Sequence, residues 1–223
     1  MITRLLLFGA TGDLAGRFLL PALAKLSAVG KLPDGFRVVG SARERWDDEK
    51  FRGHAADRLA EYAPDVPAAA REKLVRSLGY RASDFNDPDS VASMVRLAAS
   101  DGSSGGEATD PRADHVDQPI AAYLALPSSV FAPAVEALGK VGLPEGSRIA
   151  LEKPFGEDLN DAIRLNDLLK RVAGVAGEKA IFRVDHALGL ATVQNLLGVR
   201  LSNRVLEPVW NSAHIEQIDI IWD

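Results

Sequence analysis

Arg4-Leu5-Leu6-Leu7-Phe8-Gly9-Ala10-Thr11-Gly12-Asp13-Leu14-Ala15 is the stretch whose reading decides the fold. The apolar run from Arg4 to Phe8, closed by Gly9, predicts a short strand buried on both faces. A helix is predicted from about Leu14 to Val29, with Leu19, Leu20, Leu23 and Leu26 on one face. Pro21 lies inside that span and predicts a bend or a later start. Between strand and helix, Gly9 and Gly12 permit a tight turn whose backbone N–H groups can approach a pyrophosphate. The helix N-terminus adds partial positive charge there. The spacing is G-x-x-G rather than G-x-G-x-x-G, so a turn that only reverses the chain stays open as the alternative.

Outward from this turn the chain alternates strand and helix. Strands are predicted at Phe36 to Gly40, Gly79 to Arg81, Ile120 to Leu126, Arg148 to Leu151 and Ala180 to Phe182. Helices are predicted at Asp47 to Tyr62, 68–78, 88–99, Val130 to Leu138 and Leu159 to Val172. Repetition of this unit predicts an α/β fold, a Rossmann-type doubly wound parallel sheet with helices on both faces. The polar stretch from Asp101 to Gln118 reads as a surface loop, with a functional lid as the alternative. After residue 184 the character changes. Val193 to Leu197 continues a short helix, and His214 to Trp222 alternates like a strand with one exposed face. The expected organisation is a dinucleotide-binding domain over 1–184, then the truncated start of an α+β domain over 185–223.

Composition narrows the function classes. With 223 residues, 47% of them apolar, the chain can bury a sizeable core. A net charge of -5 argues against a nucleic-acid surface, which needs clustered cations. There is no cysteine, so disulfides and thiolate metal sites are excluded, and no metal site is expected. No apolar run approaches the roughly 20 residues needed to cross a bilayer. The first strand begins almost at Met1, leaving no room for a signal peptide, so a cytoplasmic protein away from the membrane is expected.

Four further segments carry candidate chemistry. At the end of the second strand stands Gly40-Ser41-Ala42-Arg43-Glu44-Arg45, where a reader of the ribose 2′-hydroxyl would place Asp or Glu first. A hydroxyl followed by arginines suits a 2′-phosphate, because guanidinium binds phosphate oxygens bidentately, and NADP is preferred over NAD. A solvated basic cluster is the alternative. Asp84 follows the third strand, where it either borders an adenine or caps a turn. Glu152-Lys153-Pro154-Phe155-Gly156 sits at a carboxyl edge of the sheet, where a lysine can reach both cofactor and substrate. Asp185-His186 follows the last predicted strand. A carboxylate beside an imidazole can serve phosphate binding or proton transfer. His54 and His115, in polar surroundings, read as surface residues.

These segments together resemble glucose-6-phosphate dehydrogenase. The matching residues are Gly9 to Ala15, Tyr123-Leu124-Ala125-Leu126-Pro127, Glu152 to Gly156 and Arg183-Val184-Asp185-His186, extended by Val193 to Leu196 and Glu207-Pro208-Val209-Trp210-Asn211. The resemblance implies NADP as hydride acceptor and oxidation of glucose 6-phosphate at C1 to the lactone, in the pentose phosphate pathway. It implies that Gly9, Thr11, Gly12, Asp13, Leu14, Ser41, Arg43, Asp84 and Pro127 surround the cofactor. Arg43 would bind the 2′-phosphate and Lys153 would touch cofactor and sugar. His186 would hold the sugar phosphate, and Asp185 would orient a separate catalytic histidine that the family carries later than residue 223. His214 does not occupy that histidine's place.

The chain departs from the family where the substrate phosphate would bind. Ala187 and Leu190 stand where a tyrosine and a lysine are usual, Gly16 and Phe18 where basic residues are expected around Arg17, and Ser128 where a second proline is usual. Three readings follow: a divergent sugar-phosphate dehydrogenase, a non-catalytic NADP-binding module, and a relative of glucose–fructose oxidoreductases, which also carry Glu-Lys-Pro. Gly12 to Ala15 and the Asp185-His186 context favour the first family over the third. The sequence leaves a homo-oligomer of the complete protein open.

Overall fold

The structure, a computed structural model, describes residues 2–99 and 118–219. His115 and all of the expected 101–118 loop but Gln118 fall outside these. The chain divides into two compact units, Met1–Val184 and Asp185–Asp223.

The first unit is a six-stranded parallel sheet in the order β3-β2-β1-β4-β5-β6. The strands are β1 (Arg4–Phe8), β2 (Arg37–Ala42), β3 (Leu78–Ala82), β4 (Ile120–Leu124), β5 (Arg148–Glu152) and β6 (Ile181–Val184). Its helices are α1 (Leu20–Ala28), α2 (Asp48–Tyr62), α3 (Ala68–Arg76), α4 (Pro88–Ala99), α5 (Phe131–Val141) and α6 (Leu159–Ala173). The expected doubly wound Rossmann-type sheet is present, and this strand order reverses direction between β1 and β4.

Strand pleating explains why β1 reads as an unbroken apolar run. Leu6 and Phe8 enter a core with Val91, Met94, Ile120 and Phe131, on the face covered by α4, α5 and α6. Leu7 points the other way, into a core with Leu20, Phe51, Leu59, Leu74 and Tyr80 from the α1–α3 side. Alternate side chains thus feed two cores, and after Arg4 every position of the strand is apolar.

The helix after the glycine turn begins at Asp13, close to the expected Leu14, but is widened at once. Ala15–Leu19 form a π-helical turn in which Leu20 N–H reaches back to Ala15 O, and α-helix resumes at Leu20, with Pro21 in the first turn of that segment. Pro21 has no N–H for the carbonyl four residues back, and widening the preceding turn accommodates it. Leu26 of the expected apolar face is exposed, while Pro21 and Ala24 are buried instead. β2 extends two residues past its predicted end, because Ser41 and Ala42 pair with β3 at Arg81 and Ala82. β4 stops at Leu124, two residues before its predicted end.

β3 is an edge strand closed by side chains of α2. Asp48 Oδ1 accepts the Tyr80 N–H at 2.7 Å, and Arg52 Nε donates to Leu78 O at 2.7 Å. These contacts occupy edge groups that would otherwise template pairing with another chain.

The second unit holds a 3-10 turn at His186–Gly189, α7 (Ala191–Ser202) and a second 3-10 turn at Glu207–Val209. α7 is longer than the predicted Val193 to Leu197 and has no buried residue. The strand predicted over His214 to Trp222 does not form over 215–219, and Ile220 to Trp222 lie outside the described residues. Alternating sequence makes a strand only beside a hydrogen-bonding neighbour, and no described strand pairs with this segment.

Candidate functional site

A cleft of ≈ 850 Å³ opens at the carboxyl ends of the strands, where the sheet reverses direction. Gly9, Thr11 and Gly12 form one wall, Ser41 to Arg45 a second, Asp84 and Phe85 a third, and Ala125 to Pro127 the fourth.

The glycine turn is held against both neighbouring strands. Gly9 N–H and Ala10 N–H donate to Ser41 O at 2.7 and 3.1 Å, and Gly12 N–H donates to Gly9 O at 3.0 Å. Gly9 has φ +74, and a Cβ there would lie 2.0 Å from Ala125 O. No other residue fits between the turn and the segment after β4. Gly40 has a second steric role, since a Cβ there would come 2.9 Å from Ala10 Cβ and 2.6 Å from Phe51 Cζ. The helical turn that leaves the glycine turn has no side-chain cap, and Gly16 N–H donates back to Gly12 O at 3.1 Å. An uncapped helix N-terminus offers backbone N–H donors to an anion.

Arg43 and Arg45, just past the end of β2, are exposed and form no ion pair among the described residues. Ser41 lines the cleft, yet its hydroxyl is fully buried and donates to Met94 Sδ at 2.8 Å, so its carbonyl is the group that serves the turn. Asp84 does what its turn-capping alternative predicts: Oδ1 accepts from Asn86 N at 2.9 Å and from Asn86 Nδ2 at 3.0 Å. Its neighbour Phe85 packs on Phe8, ring centres 5.5 Å apart, and presents an aromatic surface to the cleft.

Gly9, Thr11, Gly12, Ser41, Arg43, Asp84 and Pro127 of the sequence-predicted cofactor residues meet in this one cleft. Asp13, Leu14 and Lys153 do not line it. Asp13 pairs with Arg17 at 3.2 Å on the surface, and Leu14 is the N-cap of the π turn. Lys153 is exposed one residue past β5, and its bond to Pro154 is cis.

Two contacts were not anticipated from the sequence. Thr11 Oγ1 donates to Glu44 Oε2 at 3.0 Å, joining the glycine turn to the β2 end. Tyr123 on β4 donates its hydroxyl to Glu152 Oε1 on β5, next to Lys153. Glu152 is 6% exposed, and burial together with that carboxylate pushes the Tyr123 hydroxyl far above its ordinary value. Both pairs lie more than 25 residues apart in sequence (|i−j| of 33 and 29), and no local motif announces them.

In the second unit, Asp185 is half-buried and N-caps the 3-10 turn, Oδ1 accepting from Ala187 N at 3.0 Å. His186 is exposed on the same turn. His54 differs from the expected surface histidine. It stacks edge-on to Trp46 at 5.2 Å, its Nε2 is buried without a partner, and burial lowers its pKa from 6.5. Among the described residues no three His, Asp or Glu side chains gather as a metal site requires. No helix among them is long and apolar enough to cross a membrane.

The family model described as glucose-6-phosphate dehydrogenase, NAD binding domain, matches residues 6–195. The glucose-6-phosphate 1-dehydrogenase of Zymomonas mobilis is 36% identical over 222 residues, spanning 98% of this chain and 42% of that protein. The enzyme of the same name from Mycolicibacterium smegmatis is 37% identical over 217 residues, spanning 96% and 41%. Among solved structures, Mycobacterium avium glucose-6-phosphate 1-dehydrogenase superposes with a TM-score of 0.74 at 30% identity, over 94% of this chain and 42% of that one. A glucose-6-phosphate dehydrogenase in complex with glucose 6-phosphate superposes with a TM-score of 0.76 at 27% identity, over 96% and 43%. The chain thus spans well under half the length of these relatives. Matched by this family model over most of its length and by relatives at 36–37% identity, the chain belongs to the glucose-6-phosphate dehydrogenase family.

Proposed function

We propose that this chain is the NADP-binding part of an oxidoreductase that transfers hydride from C1 of glucose 6-phosphate to NADP, giving 6-phosphogluconolactone. The observation that carries the cofactor reading is the cradle at Gly9, where a Cβ would meet Ala125 O at 2.0 Å, beside a helix N-terminus without a side-chain cap. Both features suit a pyrophosphate, which needs close backbone approach and open N–H donors. Arg43 and Arg45, exposed on the cleft wall, suit a 2′-phosphate. Phe85 gives an adenine ring an apolar surface, with Asp84 fixing the turn that presents it.

Once bound, NADP supplies the hydride acceptor, and the protein's task is to bind and orient. Lys153, at the carboxyl edge of the sheet beside the cleft-bearing strands, is proposed to contact the sugar. It directly follows Glu152, whose carboxylate accepts the Tyr123 hydroxyl. Asp185 and His186 are proposed as the groups that orient the base and hold the sugar phosphate, with residues 185–223 as the opening of the substrate domain. No histidine among residues 1–223 is proposed as the base. A second reading, binding without turnover, is favoured by Ala187 and Leu190, which deprive the sugar phosphate of a hydroxyl and a cation.

One titration tests the cofactor assignment and an assay separates the two readings. NADPH should bind the 223-residue chain with a change in nicotinamide fluorescence, and Arg43→Ala should weaken it by about tenfold or more, as expected for a charge-assisted phosphate contact. An indistinguishable Arg43→Ala variant would overturn the 2′-phosphate role. Glucose 6-phosphate and NADP are then mixed with the chain. Growth of reduced-nicotinamide absorbance would overturn the reading of binding without turnover and show that residues 1–223 supply the base themselves.

A further inference from the structure

A cavity of ≈ 430 Å³ lies along the β3 edge of the sheet, between the start of β2, strand β3 and helices α2, α3 and α4. Its size falls within the roughly 300–1,000 Å³ of small-molecule sites. It shares no lining residue with the cofactor cleft. Five cations line it, Arg37, Arg52, Lys73, Arg76 and Arg81, against the single carboxylate of Asp48. They gather in a chain whose net charge is -5. The fold assembles them. β2 pairs Val38 with Leu78, which sets Arg37 beside the last turn of α3, where Lys73 and Arg76 stand. Arg52 comes from α2 and Arg81 from β3.

Ordinary structural roles account for part of this charge. Arg52 and Arg81 share Asp48, at 3.8 and 3.1 Å, in the network that closes the β3 edge. Lys73 and Arg76 offset the carboxyl end of α3, and Arg76 also meets Glu72 at 3.7 Å. A helix end carries only roughly half a negative charge, so a surplus of about two positive charges remains around the cavity. Arg37 and Lys73 are exposed and make no ion pair among the described residues. Val38, Leu78 and Ala98 give the cavity a buried apolar wall, and walls of low dielectric focus the field of one-signed charge. We infer that this cavity is a second ligand site, which takes a compact ligand bearing a diphosphate group. A diphosphate carries at least two negative charges, and its oxygens suit guanidinium forks. Inorganic pyrophosphate and a nucleoside diphosphate share this chemistry, but only the nucleotide has a ring to lay on the apolar wall.

Calorimetry tests the site. Pyrophosphate and ADP are each titrated into the 223-residue parent and into an Arg37→Gln, Lys73→Gln double variant, with and without excess NADPH to fill the cofactor cleft. Pyrophosphate is expected to bind the parent whether or not NADPH is present. The double variant should bind it about tenfold or more weaker, as the loss of two charge-assisted contacts requires, and added salt should weaken it further. Arg76→Gln alone should weaken it about threefold or more, which keeps the site testable if the double variant does not fold. With NADPH present, ADP binding tighter than pyrophosphate identifies the nucleotide as the source of the diphosphate; equal or weaker binding identifies the inorganic ion. A parent that takes neither ligand, affinities equal in parent and variants, or displacement of pyrophosphate by NADPH overturns the second site. Those results leave the cofactor reading standing, which fails separately if NADPH itself does not bind.

Discussion

Tyr123 and His54 are both half-buried, in different surroundings, and each predicts a different consequence. Tyr123 satisfies a carboxylate that the fold has placed 6% exposed between two strands. Tyr123→Phe removes a donor from a charged acceptor, and such bonds contribute about 1.5–3 kcal/mol. Urea unfolding should show a stability loss in that range, and no loss would mean that Glu152 is satisfied without Tyr123. His54 instead is half-buried edge-on to Trp46, and its pKa is lowered from 6.5 chiefly by burial, then by Arg58. In the unfolded chain it takes up its proton at a higher pH than in the folded one. Its contribution to stability is therefore complete above pH 6.5 and is lost as pH falls below it. His54→Phe keeps the ring contact without the titration. Its unfolding midpoint should fall less on acidification through pH 6.5 than the parent's, and parallel curves would refute the linkage.

At the scale of elements, the edge of the sheet matters as much as its centre. β3 would expose N–H and C=O groups to any passing strand, but Asp48 and Arg52 of α2 cap them. Asp48→Ala leaves the Tyr80 N–H without its acceptor and deprives Arg81 of a partner at 3.1 Å. A loss of about 1–3 kcal/mol is expected from the unsatisfied group. Sedimentation should also reveal more self-association, because the edge is again open to pairing. The π turn at Ala15–Leu19 is another element-scale adjustment, set by one proline. It widens the start of the helix, directly after the turn that is proposed to hold the pyrophosphate.

For the molecule as a whole, the two units differ in how they are built. The first has two cores, one on each face of the sheet. The second buries no residue of α7, and Leu196, Leu197, Val199 and Leu201 are exposed along it. Exposed apolar surface of this kind favours association. All residues of the proposed cofactor cleft lie in the first unit. A chain ending at Val184 should therefore bind NADPH within about threefold of the 223-residue chain and self-associate less. Fluorescence titration and sedimentation of both chains check this, and loss of NADPH binding would show that residues 185–223 contribute to the cleft.

The strand-turn-helix opening, the alternation behind it and the arginines at the end of the second strand were all legible in the residues. Each rests on local rules: alternate side chains feed opposite cores, Gly9 needs φ +74, and a guanidinium suits a phosphate. The sequence by itself therefore determined the Rossmann-type sheet and most of the cleft wall. Only the tertiary structure decided which groups face inward. Ser41 donates its hydroxyl to Met94, Asp84 uses its carboxylate to cap a turn, and His54 sets its ring edge-on to Trp46. The Thr11–Glu44 and Tyr123–Glu152 contacts join residues from different strands and turns. Such pairs depend on strand register and on the close packing of neighbouring strands, which no local pattern encodes.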